Sequence, residues 1–312
     1  MLRDPADRAP RDPIPAVLAG GAEAVLAIIA GVEGPSYRPV GTVMAVLGPE
    51  ARVGSLSSGC VEADITLHAL EARAAGEPRL IRYGRGSPII DIQLPCGGGL
   101  EILLLPRPDR VALEAVAARL AERRAATLEI DMETGAMGVL EHGATEREGQ
   151  VLRVRFAPAI RFLVFGKGPE ASTFAALVEA AGYPNLLLSP DPETLAHGAA
   201  AGCATRPLAG RAFPADLDSD SRTAVTLFFH DHDWEPPILA GALETPAFYI
   251  GAQGSVKARD ARLLALEAMG VDAEGRARLR GPVGLIPSAR DPNTLAVSVL
   301  AEVLAEAMAD AG

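Results

Sequence analysis

Three cysteines occur in 312 residues, and two of them stand in turns built from small residues. Cys60 ends the run "GSLSSGC", after Ser57, Ser58 and Gly59, and immediately precedes an amphipathic stretch. A helix over about 59–75 is predicted there, with Val61, Ile65, Ala69 and Ala72 on one face and Gly76 as the stop. A thiol in the first turn of such a helix meets free N–H groups and the positive end of the dipole, which favours thiolate. Glu62 acts in the opposite sense. Cys96 lies in "LPCGGGLEI", where the amides of Gly97, Gly98 and Gly99 are suited to an anion nest. Two thiols in two glycine turns point to one site, although a buried, inert thiol is the plainer reading of either taken alone. Cys203, in "AAAGCATRP", has no such setting and reads as packing.

Further along, "VFGKGPEA" fits G-x-G-x-x-A between an apolar strand and a helix. Gly166 and Gly168 allow a tight turn and close approach of a phosphate, and Ala171 allows helix-on-strand packing. A dinucleotide site also needs an acid at the tip of the next strand, about 20 residues on. That strand ends "LLLSPD", with Ser189 at the tip and Asp191 beyond it. "FFHDHDWE" sets His230, Asp231 and His232 after another apolar strand, where ligands of such folds bind. The pattern suits proton transfer, metal ligation or a hydrogen-bonded strand cap, and no third ligand is evident nearby. "GAQGSVKA" places Ser255 as an N-cap and Lys257 in a first turn, a setting for a phosphate or for ordinary turn chemistry.

These residues need elements to hold them. In the first half, "AVLAIIAGV", "GTVMAVL", "RVGSL", "RLIRYG", "LEILLLP", "TLEIDM", "AMGVLE" and "QVLRVRF" read as strands and "RVALEAVAARLAERRAA" as a helix. From "APAIRFLVFG" onward strands alternate with helices, ending in a long helix from about Pro292. The fold class is therefore α/β, an N-terminal α+β domain over residues 1–157 followed by a Rossmann-like, doubly wound parallel-sheet domain over 158–312.

Composition narrows the function classes. The net charge of −11 and the lack of Lys/Arg blocks disfavour nucleic-acid and anionic-membrane surfaces. An odd number of widely spaced cysteines, with no C-x-x-C pair, argues against both a disulfide framework and a structural zinc, and fits a reducing cytoplasm. The apolar stretch 16–32 is interrupted by Gly20, Gly21 and Glu23 and follows a mixed-charge, proline-rich start, so it reads as a short helix and a buried strand instead of a membrane or signal segment.

Six ordered stretches, "GPSYRPVGTVMAV", "GSLSSGCVEADI", "LPCGGGLEILL", "FFHDHDWE", "PAFYIGAQGS" and "GPVGLIPSARDPNTLAVSVLAEVLAE", resemble the XdhC/CoxI family of accessory proteins of xanthine dehydrogenase and carbon monoxide dehydrogenase. The resemblance spans nearly the whole chain. It implies a chaperone that binds the molybdenum cofactor, protects it while a terminal oxygen is exchanged for sulfur, and delivers it to a xanthine dehydrogenase-type molybdoenzyme. It also implies a cysteine desulfurase-type sulfur donor as partner, a homodimer, and a maturation factor in place of a catalyst. Carried over by motif, Cys60 and Cys96 are thiol contacts, with Cys60 a soft ligand for molybdenum, and the surrounding glycine amides suit the pterin's phosphate. The chain departs from the family turn G-A-G-H-V-A at Lys167, Pro169 and Glu170, and from G-L-D-I-G-A-R at Ile286 and Ser288. Two rival readings remain: an NAD(P)-dependent oxidoreductase using Gly166 to Ala171 with His230 or His232 as proton carrier, and a scaffold that recruits the partners without holding cofactor.

Overall fold

The computed structural model describes residues 12–57, 59, 61–87, 97–231 and 233–309. Four of the singled-out site residues, Ser58, Cys60, Cys96 and His232, lie outside the described residues. The chain divides into two compact units, Met1–Pro158 and Ala159–Gly312.

In the first unit, helix α1 (Pro13–Gly20) begins at an Asp12 cap whose carboxylate accepts from the Ile14 amide, with proline in the first turn. A 3-10 turn, Gly21–Glu23, leads into strand β1 (Val25–Glu33). β1 is the centre of a sheet with β2 (Val43–Val46), β3 (Arg52–Val53), β4 (Arg79–Gly84) and β5 (Gly99–Pro106), ordered β3-β2-β1-β5-β4 and antiparallel throughout. Helix α2 (Glu62–Ala75) lies on the face that carries Val25, Ala27 and Ile29, where Ile65 and Ala69 meet them. Leu26, Ile28 and Ala30 point the other way, into a core shared with α1, α3 (Arg110–Ala121) and a second antiparallel sheet. That sheet comprises β6 (Ala126–Asp131), β7 (Met137–Leu140), β8 (Glu146–Glu148) and β9 (Val151–Phe156), ordered β7-β6-β9-β8. A strand buried on both faces loses the usual polar alternation, which is why residues 24–30 form an unbroken apolar run.

The second unit is a parallel sheet of β10 (Arg161–Gly166), β11 (Asn185–Ser189), β12 (Ala204–Pro207), β13 (Thr223–Phe228), β14 (Tyr249–Ala252) and β15 (Leu279–Arg280). Its order is β12-β11-β10-β13-β14-β15. Numbered within the unit, that is third, second, first, fourth, fifth, sixth, the Rossmann order, and the order reverses between β10 and β13. Helices α4 (Pro169–Ala180) and α9 (Pro292–Ala309) cover one face, where Phe162, Phe174 and Phe228 pack. α6 (Glu235–Leu243) and α7 (Val256–Ala268) cover the other, against Leu163, Phe165, Val225 and Leu227. α5 (Pro192–Ala200) and the short α8 (Ala273–Ala277) complete the unit. Among the described residues no helix is long and apolar enough to cross a membrane.

Candidate functional site

The serine and glycine turn of the first unit is organised by one carboxylate. Glu62 is buried, and its side chain accepts hydrogen bonds from Ser55 Oγ at 2.7 Å, the Ser57 amide at 2.8 Å and the Val61 amide at 3.3 Å. Burial alone would raise its pKa, but the bonds from Ser55, Ser57 and Val61 outweigh that and hold it below the ordinary carboxylate value. The helix accordingly starts later than its apolar spacing predicts. Gly59 has φ 93°, Val61 is non-helical at φ −120° and ψ −4°, and α2 begins only at Glu62, past position 60. The predicted start of the helix near residue 59 is thus corrected to Glu62, and Cys60 itself lies outside the described residues. The reason is local: the carboxylate folds back onto amides that a continuing helix would have left open. Two amides of the turn, those of Ser57 and Val61, are committed to a resident negative charge.

Gly98 meets the far end of β1. Gly97 takes φ 70° and is exposed, while Gly98 is buried. A Cβ on Gly98 would collide with the Pro35 carbonyl and lie 2.9 Å from the Glu33 carbonyl oxygen. The Gly98 carbonyl accepts from the Arg85 amide at 3.0 Å. Glycine is required here so that the turn entering β5 can lie against the chain leaving β1. Cys203 is buried, and that burial, reinforced by Glu179, pushes its thiol up to about 11. It packs, as its sequence setting suggests.

In the second unit the glycine turn has the Rossmann shape, with the Gly168 amide already engaged. Gly166 is needed for space, because a Cβ there would lie 2.5 Å from the Phe228 carbonyl oxygen and 2.7 Å from the Ala171 Cβ. Gly168, at φ 94°, caps α4, yet its amide donates to Thr194 Oγ1 at 2.9 Å. That hydroxyl in turn donates to Asp191 at 2.6 Å, and Asp191 also caps α5. The next residue, Pro169, has no N–H, and Glu170 adds a carboxylate to the first turn of α4. Ser189 is fully buried and its hydroxyl accepts from the Asp191 amide, so the strand tip offers no carboxylate for ribose. A dinucleotide would meet few of the donors and none of the acid that such sites use.

What the fold leaves open at the switch point is a pair of cavities on either side of Phe229 and His230. One, of about 410 Å³, is walled by Lys167, Gly168, Asp191 and Trp234. The other, of about 370 Å³, is walled by Glu170, Gln253, Ser255, Ser288 and Arg290. Trp234 stacks on Phe229 with centroids 5.8 Å apart and planes 7° apart, and the Arg211 guanidinium lies over the indole at 5.5 Å. His230 Nε2 stands 3.3 Å from Glu170 Oε2. Ser255 caps α7 by accepting from the Ala258 amide at 3.2 Å. The turn before it is held by a buried ion pair: Arg262 reaches Glu235 through Nε at 2.6 Å and Nη2 at 3.2 Å, and also donates to the Gln253 carbonyl. Gly254, at φ 136°, makes room, since a Cβ there would lie 2.7 Å from that guanidinium.

The structure thus brings Gly166, Gly168, His230 and Ser255 to one end of one sheet, and Ser57, Gly59, Gly97 and Gly98 to turns of the first unit. Glu170 was missed as a site residue. The available signal was a carboxylate in a glycine turn where an anion would otherwise be expected. Among the described residues no group of three or more His, Cys, Asp or Glu side chains is placed to hold a metal ion.

Over 92% of its length the chain is 37% identical to the molybdenum cofactor insertion chaperone PaoD of Escherichia coli, covering 84% of that protein. Residues 17–84 match the XdhC and CoxI family, and residues 162–303 match the XdhC Rossmann domain. The chain belongs to the XdhC and CoxI family. A second relative, at 26% identity over 93% of this chain and 94% of its own, is a probable xanthine dehydrogenase subunit of Bacillus subtilis. Among solved structures, that of a xanthine dehydrogenase from Bacillus halodurans aligns with a TM-score of 0.79 over 96% of each chain. At 22% identity this likeness establishes the fold alone. Within the XdhC and CoxI family, the Thr194 hydroxyl seated on the Gly168 amide is how this member's Rossmann domain fills its glycine turn.

Proposed function

We propose that this chain is a maturation factor that binds molybdenum cofactor, shelters it during exchange of a terminal oxygen for sulfur, and hands it to a xanthine dehydrogenase-type molybdoenzyme. The observation that carries the reading is the 37% identity, across nearly the whole chain, to a molybdenum cofactor insertion chaperone. In this reading the cofactor is cargo. Cys60 offers a soft sulfur contact to molybdenum and Cys96 a second thiol, while Ser57, Ser58, Gly59, Gly97 and Gly98 form the turns that carry them. The described part of those turns fits a cargo of this kind. Gly59 and Gly97 leave open space where side chains would stand, with nothing within 4 Å of a Cβ built on either. The cofactor supplies the redox and sulfur chemistry when bound; the chain binds, orients and excludes water. Cysteine desulfurase as sulfur donor, the cytoplasm as compartment and a homodimer as assembly belong to the same proposal.

The oxidoreductase alternative draws support from the strand order and the Gly166 to Ala171 turn, and is weakened by the occupied Gly168 amide and the buried Ser189. Gel filtration after incubation with molybdenum cofactor tests the proposal. Wild type is expected to retain molybdenum and pterin in the protein peak and Cys60→Ala to lose most of the molybdenum. No retention by wild type overturns it. Calorimetric binding of NAD(H) or NADP(H) below millimolar concentration would instead favour the alternative.

A further inference from the structure

Glu170 is a carboxylate without a settled use. Its Oε2 atom is shut off from solvent and makes no hydrogen bond, while the side chain as a whole is 15% exposed and lines the cavity of about 370 Å³. Buried acceptors are almost always paired, so an orphan at the wall of a cavity marks where a donor is expected. The neighbouring group, His230, has a side chain 72% exposed and approaches to 3.3 Å without hydrogen-bond geometry. An exposed partner of that kind is weakly held and readily displaced by a ligand. Glu170 thus places in the cavity wall a carboxyl group whose inner oxygen lacks a hydrogen-bond donor.

The rest of the wall limits what those donors belong to. A free anion is disfavoured beside the carboxylate, and a metal ion lacks a ligand set among the described residues. Arg290, which is exposed, also lines the cavity, and Ser255 and Ser288 add hydroxyls, groups suited to a phosphate carried on the same molecule. The volume falls in the range of small-molecule sites. We propose that this cavity takes a phosphorylated amino-heterocycle whose adjacent ring N–H and exocyclic NH2 groups donate to Glu170. This is the 2-amino-4-oxopyrimidine edge shared by pterins and guanine, which matches the two oxygens of a carboxylate. The inference rests on the cofactor-cargo reading and deepens it by assigning a recognition residue in the second unit.

The test is calorimetry on the full chain with 6-hydroxymethylpterin, guanosine monophosphate and cytidine monophosphate, the last lacking the paired donors. Wild type is expected to bind at least one of the first two. Glu170→Gln, which puts a donor or a neutral oxygen where the charge stood, is expected to weaken that binding by about tenfold or more and to leave cytidine monophosphate unchanged. His230→Ala, which removes the competing imidazole, is expected to bind as tightly as wild type or tighter. Equal affinities in wild type and Glu170→Gln overturn the inference, as does failure of both the pterin and the guanine nucleotide to bind at millimolar concentration. If wild type retains whole molybdenum cofactor while neither heterocycle binds, only this inference falls. If the pterin binds through Glu170 while molybdenum cofactor is not retained, the cargo reading falls and the site stands.

Discussion

Substituting Glu235 tests how the turn between β14 and α7 is held. The Glu235 side chain is 0% exposed and Arg262 2%, and their two hydrogen bonds join the start of α6 to the middle of α7. Glu235→Gln keeps the shape and removes the charge, leaving a guanidinium buried beside a neutral amide. Breaking such a pair from one side costs about 3–5 kcal/mol, because the remaining charge is desolvated without compensation. For a cooperative unit of this size about 2–4 °C of melting temperature is lost per kcal/mol, so the midpoint is expected to fall by about 6–20 °C. The chain's single tryptophan, Trp234, immediately precedes Glu235, so its fluorescence reports the second unit's own transition. That separation matters because two units need not unfold as one. The double substitution Glu235→Leu with Arg262→Met is expected to return most of the loss, since an apolar pair of similar volume is often neutral or stabilising. A fall of less than about 2 °C in Glu235→Gln would refute the reasoning, as the pair would then be either solvated or dispensable.

Two further outcomes concern the first unit. Glu62 has a folded-state pKa below its unfolded value, so its contribution is fully present above about pH 4.3 and is lost as pH falls through the lowered folded value. Urea midpoints read from NMR signals of α2 amides are expected to drop over that acid range in wild type. In Glu62→Gln the dependence is expected to flatten, with a loss of about 1–3 kcal/mol at neutral pH. Gly98→Ala drives a Cβ into backbone carbonyls of Glu33 and Pro35, and circular dichroism melts are expected to show a loss of about 1–3 kcal/mol. Gly138→Ala, with nothing within 4 Å of the added carbon, is the control and is expected to lie within about 0.5 kcal/mol of wild type.

The elements that bury apolar residues were legible in the sequence. Strands β1, β2, β5, β10, β11, β13 and β14 and helices α3, α4 and α9 follow directly from apolar runs and their period. What escaped were edges and short connections. β8 reads "ERE" and is exposed throughout, β12 reads "ATRP" and is at most half-buried, and β15 has two residues, so backbone pairing alone defines them. No side-chain pattern announces a short strand that buries one side chain at most. The start of α2 was misplaced for a different reason: periodicity located its apolar face, but the back-bonding of Glu62 set its first residue. For the site, residue types and glycine spacing marked the turns of both units. They could not reveal that the Gly168 amide already has a partner, because Thr194 lies 26 positions away in sequence. Glu170 escaped because its meaning depends on a cavity formed by the β14–α7 turn and the segment before α9.

The Thr194 hydroxyl on the Gly168 amide has a kinetic and thermodynamic corollary. It is a competitor carried by the chain itself, and a tethered group of this kind acts at an effective concentration on the order of millimolar or more. Any free phosphate or nucleotide seeking the glycine turn must displace it, and must do so while Asp191, held below its usual carboxylate range by Thr194, keeps the hydroxyl oriented. The Gly168 amide is therefore open only to a group that outcompetes Thr194.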